Sequence, residues 1–132
     1  MYLIIVGANP ISRSLISLAI ENNHQVVVIE RDAEPARTML AEHDIKVFQV
    51  DIAAKGVLEE AQADKADALF AITKDDSTNL MAIFLAKKQG VKQLIAMVNN
   101  NEHQAMFESL GVNVIAAPET IVAQHIFSFL KE

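Results

Sequence analysis

The stretch Gly7-Ala8-Asn9-Pro10-Ile11-Ser12 follows a short apolar run and precedes a helical pattern. In that setting backbone amides and a helix N-terminus can hold a phosphate. A dinucleotide fingerprint would read G-x-G-x-x-G. Gly7 holds the first position, Asn9 stands at the second glycine and Ser12 at the third. Asn9 can still adopt a positive φ, but its side chain fills space through which glycine lets the backbone approach a pyrophosphate. Ser12 is small enough to keep the helix close to the strand. Pro10 presets φ at the helix start and removes one N–H. Two readings stay open: a weakened nucleotide cradle formed by Gly7, Asn9, Pro10, Ile11 and Ser12, and a plain tight β-α turn.

Glu30 ends the second apolar run about 20 residues beyond this loop, where a carboxylate accepts hydrogen bonds from ribose hydroxyls in such sites. It can equally be an ordinary solvated acid. Arg31 joins the candidate binding residues, but it does not make a site for a 2'-phosphate. A neighbour on a strand points to the opposite face, and Glu30 would repel the added charge. Asp51 and Ile52 follow the third run, and Thr73 follows the fourth, so all three face the same crevice as Gly7. Asp75 or Asp76 reads as a helix cap.

Other constellations are negative. His24, His43, His103 and His125 form no i, i+4 pair and no metal-spaced cluster, so they read as solvated or packed imidazoles. The only tyrosine, Tyr2, lies in the first strand, which removes a Tyr-Lys proton-transfer pair. The chain has no cysteine, hence no thiolate nucleophile, thiolate metal site or disulfide. No catalytic residue and no metal ligand are assigned.

The elements that must position these residues alternate. Strand candidates are residues 2–6, 26–29, 47–50, 68–72, 94–98 and 112–116. Helical spacing covers 11–22, 33–43, 55–62, 77–89, 102–110 and 119–130. Parallel strands need helix-sized, right-handed crossovers. The expected fold is therefore α/β, a Rossmann-type doubly wound parallel six-stranded sheet with helices on both faces. Asn22-Asn23, Gly90 and Gly111 stand where helix stops are expected. The 132 residues, 52% hydrophobic, read as one domain filling the chain. A net charge of −6 argues against a nucleic acid partner. The lack of cysteine fits a reducing compartment and makes a cytoplasmic location the default, and no apolar run reaches a membrane-spanning length, so no direct insertion is expected. The helix after Ser77 is apolar nearly all round, with Leu80, Ile83 and Phe84 able to face the sheet and Met81 and Leu85 left over. Ile121, Val122, Ile126, Phe127, Phe129 and Leu130 exceed one stripe near the end. A larger core or a homodimer through the later helices would bury them.

The chain resembles the nucleotide-binding lobe of the RCK or TrkA-N family. The resemblance is carried by Ile5-Val6-Gly7, Val26 to Glu30, Val50-Asp51, Ala66-Asp67-Ala68, Thr73-x-x-Asp76-x-Thr78-Asn79, Gly90-Val91, Leu94-Ile95-Ala96, Leu110-Gly111-Val112 and Pro118-Glu119. It implies a sensor, not an enzyme, that binds NAD(H) or an adenine nucleotide (ATP, ADP or AMP). It also implies a dimer that transmits ligand state to a membrane potassium channel or transporter subunit at the inner face of the cell membrane. Carried over by position, Gly7, Asn9, Ser12, Glu30, Asp51 and Thr73 surround the nucleotide, and Met97 stands where many members carry an arginine near the phosphates. Two other functions compete: a small NAD-dependent oxidoreductase, and a vestigial Rossmann lobe that only dimerises.

Overall fold

β-Branched residues make up most of the apolar runs 2–6 and 26–29, and in a strand they pack well on a pleated surface. A computed structural model describes residues 1–132. It shows strands β1 (Tyr2–Val6), β2 (Gln25–Glu30), β3 (Lys46–Gln49), β4 (Ala68–Ala71), β5 (Gln93–Val98) and β6 (Asn113–Ala116). All six pair in parallel in one sheet of order β3-β2-β1-β4-β5-β6. The doubly wound expectation is correct. The direction of winding reverses between β1 and β4, where Val6 lies opposite both Ile29 and Ala71.

The period of two along β1 divides the core. Ile4 and Val6 face a cluster with Val27, Ile29, Leu69, Ile83 and Phe107. Leu3 and Ile5 face a second cluster with Ile16, Val28 and Met39. Helices α1 (Pro10–Glu21) and α2 (Ala33–Glu42) cover the second side. Helices α3 (Val57–Glu60), α4 (Asp76–Lys88) and α5 (Gln104–Glu108) cover the first. Ile4 and Ile5 are fully buried. Burial of a side chain of that size contributes about 1.5–3 kcal/mol.

Helix lengths depart from the periodicity in two places. The stretch expected as one helix over 55–62 is a single turn, α3, followed by a 3-10 turn Ala63–Lys65. Gly56 at φ 80° delays its start and Gln62 at φ 58° ends it. The stretch expected over 102–110 begins as a 3-10 turn, Asn101–His103, before α5.

On α4 the inward stripe is Asp76, Asn79, Ala82, Ile83 and Ala86. The alanines let the helix lie close to the sheet, and this rotates Phe84 outward to 50% exposure, contrary to the expected sheet-facing role. Leu85 packs against the core instead. Helix α6 (Pro118–Phe127) buries no residue at all. Ile121, Val122, Ile126 and Phe127 are exposed, as are Phe129 and Leu130, so a larger core does not account for them in a single chain. No helix is long and apolar enough to cross a membrane.

Candidate functional site

Gly7 ends β1 with φ 114°, a conformation that side chains rarely adopt. A Cβ here would lie 3.1 Å from Thr73 Cγ2 and 3.2 Å from Thr73 N. The glycine therefore lets the loop after β1 touch the loop after β4 at the reversal point of the sheet.

Asn9 does not take the positive φ that its type allows. It is extended, at φ −153° and ψ 178°, and caps α1. Its Oδ1 accepts from Ile11 N at 3.0 Å and Ser12 N at 3.1 Å. Its Nδ2 donates to Ile72 O at 2.8 Å, which ties the helix start to the end of β4. Asn9 N donates to Ser12 Oγ at 2.7 Å, completing a reciprocal capping box. Ser12 is fully buried under the helix, and Pro10 opens α1 at a position where its missing N–H is no loss.

The remaining amides of the loop are also engaged. Gly7 N donates to Ile29 O at 3.0 Å and Arg13 N to Asn9 O at 2.9 Å. Ala8 N donates to Glu30 Oε1 at 2.7 Å. From Gly7 to Arg13, every N–H the chain possesses has a partner within the protein. Glu30 Oε2 accepts from Asp32 N at 2.9 Å, so both carboxylate oxygens hold the backbone around the mouth of the site. An ionised carboxylate offers about four acceptor positions, which leaves two for a ligand.

These residues line an open cleft of about 480 Å³ at the carboxyl ends of β1 to β4. Gly7, Asn9, Pro10, Glu30, Arg31, Asp51, Ile52 and Thr73 all border it. Ile11 and Ser12 do not, because one is exposed on α1 and the other is buried beneath it. Arg31 corrects the expected alternation: β2 stops at Glu30, so Arg31 leaves the strand and joins the cleft rim, 3.6 Å from Asp32 Oδ1. Asp51 Oδ1 accepts from Ala53 N at 2.9 Å, while Ile52 belongs to the core beneath.

Thr73 is held from behind. Its N–H and hydroxyl both donate to Asn79 Oδ1, at 2.9 and 2.6 Å. Asn79 Nδ2 donates to Thr73 O at 3.0 Å and Met97 O at 2.8 Å. This fully buried amide thus clamps the ends of β4 and β5 together. Met97 itself lies in the core on the α1 side and does not reach the cleft.

The two aspartates that read alike as caps divide their roles. Asp75 is the cap of α4, accepting from Ser77 N at 3.3 Å. The Thr78 hydroxyl, 2.6 Å away, holds its carboxyl below the usual range. Asp76 instead turns inward and accepts from Asn99 N (2.7 Å), Asn99 Nδ2 (2.9 Å), Asn100 N (2.9 Å) and His103 Nδ1 (2.8 Å). Burial opposes its ionisation, but these donors together outweigh burial and lower its pKa to about 2. His103 is therefore bound to a carboxylate rather than merely solvated or packed. Asn79 stands in the Thr73 to Asn79 element that carries the family resemblance, but sequence reasoning gave it no role and missed Asn99 and this use of Asp76. A signal existed, since Asp76 and Asn79 share the inward stripe of α4 with Ile83 and Ala86, and a buried polar group needs a partner.

The nucleoside part of a nucleotide fits this cleft. Val6, Ile29, Val50 and Pro35 supply apolar walls, and Glu30, Asp51 and Thr73 supply polar groups within a volume usual for small ligands. The phosphate part finds no free loop amide.

A parallel sheet with this order, this reversal point and an acid closing β2 defines a Rossmann-type α/β domain. Residues 3–118 match the TrkA-N domain, and the chain belongs to that family. The Trk system potassium uptake protein TrkA homolog of Methanothermobacter thermautotrophicus is 28% identical over 130 residues, covering 96% of this chain and 58% of that relative. The chain thus spans less than two thirds of that relative's length. A structure of the GsuK channel bound to NAD superposes with a TM-score of 0.76 at 22% identity, covering 86% of this chain and 21% of that one. The Shewanella denitrificans Kef CTD in its AMP-bound form gives 0.74 at 22% identity, covering 88% and 71%.

Proposed function

We propose that this chain is the nucleotide-sensing lobe of a regulator of potassium transport. It binds NAD(H) or an adenine nucleotide and signals its occupancy through a homodimer to a membrane channel or transporter subunit, from the cytoplasmic side. The observation that carries this reading is the cleft at the reversal point, with Glu30 anchored at its mouth and two acceptor positions left for ribose hydroxyls. The TrkA relative and the NAD-bound and AMP-bound structures support it.

The homodimer is supported by Met81, Phe84, Ile126 and Phe127, exposed apolar side chains on α4 and α6 that a single chain leaves in water. Two-fold pairing would bury them and fix the separation of the two clefts. A ligand that favours one relative orientation of the lobes can then bias an attached pore. The reading does not involve catalysis. The cleft carries no histidine or tyrosine, and the Tyr2 hydroxyl donates to Ala61 O at the opposite end of the sheet.

Calorimetry and thermal unfolding with NAD, NADH, ATP, ADP and AMP test the proposal, since a ligand that binds only the folded state raises the melting temperature by mass action. Binding by none of them refutes it. The engaged loop amides favour a second reading, a lobe that only dimerises. In that case sedimentation would show a dimer, dispersed by Phe127→Asp, with no response to any nucleotide.

A further inference from the structure

We propose that the cleft recognises its ligand by the nucleoside and not by the phosphates, so that affinity is set by adenine and ribose and falls as the phosphate chain grows. The inference rests on the nucleotide-binding reading above and deepens it.

Three observations converge. First, the usual phosphate donors are consumed: the amides of Gly7, Ala8, Asn9, Ile11, Ser12 and Arg13 all have partners inside the protein, and Pro10 has none to give. For Ile11 and Ser12 the Asn9 side chain is the cause, because its Oδ1 sits at the helix N-terminus, where a phosphate oxygen would otherwise accept. A phosphate could bind there only by breaking the capping box and the Asn9 tie to Ile72.

Second, charge opposes phosphate. Glu30, Asp32, Asp51 and Asp75 border the cleft against Arg31 and Lys74, and Arg31 already leans on Asp32. All four carboxylates are ionised at neutral pH, so the cleft rim carries an excess of negative charge there. Third, the nucleoside contacts survive: Glu30 keeps its open acceptor positions, and the apolar walls can take a base.

The test is a calorimetric series of adenosine, AMP, ADP and ATP at low and high salt, with NADH as a fifth ligand. Adenosine and AMP should bind within about threefold of one another. ATP should bind at least about fivefold more weakly than AMP at low salt, and the gap should shrink to about twofold in 0.5 M salt as the rim charges are screened. Asn9→Gly, which frees the Ile11 and Ser12 amides while keeping a residue tolerated at a helix start, should raise AMP affinity relative to adenosine. ADP or ATP binding about tenfold more tightly than adenosine would overturn the inference and leave the nucleotide reading standing. An AMP-to-adenosine ratio unchanged by Asn9→Gly would also overturn it, since the capping box would then not be what excludes phosphate. If none of the five ligands binds, the nucleotide reading itself fails and the inference falls with it.

Discussion

Replacing Asp76 by Asn keeps the shape of the side chain and removes its charge. The carboxylate accepts four hydrogen bonds, two from backbone amides, one from Asn99 Nδ2 and one from His103. In Asp76→Asn the retained oxygen can still serve Asn99, but the new amide nitrogen faces the N–H of Asn100 donor to donor. His103 can change tautomer and accept from the new amide through Nδ1, so one charge-assisted bond is lost outright, at about 1.5–3 kcal/mol, and the Asn100 amide is left without an acceptor. The surviving bonds weaken because their acceptor is now neutral. The sum is about 3 kcal/mol of destabilisation. The preference for the ionised form implied by a pKa of about 2, against 3.8 for a free carboxyl, is of similar size, about 2 kcal/mol. For a domain of this length, 3 kcal/mol lowers the melting temperature by about 10 °C. Thermal unfolding followed by circular dichroism at pH 7 reads this directly. Asp75→Asn is the control, because Asn caps helices as well as Asp and the site is exposed, so its loss should stay below about 0.5 kcal/mol. A melting temperature for Asp76→Asn within 2 °C of the parent, or equal losses for the two variants, would refute the assignment of Asp76 as the tether.

The same carboxylate makes stability depend on acid. Because its folded pKa lies below the unfolded value, its contribution is complete above about pH 4 and disappears as the pH falls through about 2, so melting curves of the parent and Asp76→Asn should converge toward pH 2. Gly7→Ala should cost about 2–3 kcal/mol, since it combines a strained φ with a Cβ 3.1 Å from Thr73, whereas Gly56→Ala meets open space and should cost about 1 kcal/mol; urea unfolding separates them. Glu30→Ala should weaken AMP or NADH binding by about 1–3 kcal/mol in calorimetry and also lower the melting temperature, because the Ala8 and Asp32 amides lose their acceptor. Unchanged affinity would remove Glu30 from the site.

The sheet was legible because its strands advertise themselves: Leu3 to Val6 and Val26 to Ile29 are buried on both faces and read as unbroken apolar runs. The short helices were not, since a left-handed Gln62 and a 3-10 start at Asn101 leave no mark on hydrophobic spacing. At the site, the positions of Gly7, Glu30, Asp51 and Thr73 along one crevice followed from where strands end. What Asn9 does there did not, because the cap depends on a backbone angle and on Ile72, far away in the chain. Asp76 reads as a cap for the same reason: a local pattern shows Ser77 and Thr78 but not Asn99 and Asn100, which only the β4-α4-β5 crossover brings near.

The Asp76 tether also bears on the order in which the chain folds. Its partners lie 23, 24 and 27 residues away, in the turn that follows β5, so it closes only when the β4-α4-β5 crossover brings that turn to the start of α4. Interactions closed after the rate-limiting step hold the native state in place without hastening its arrival. Slowed refolding of Asp76→Asn in stopped-flow experiments would place the tether in the folding nucleus. If the tether instead closes after the rate-limiting step, Asp76→Asn should leave the refolding limb of the chevron almost unmoved and raise the unfolding rate, by about a hundredfold if the full 3 kcal/mol falls on that limb. The buried carboxylate then works as a latch, and the lifetime of the folded lobe depends on it more than the speed of its assembly does.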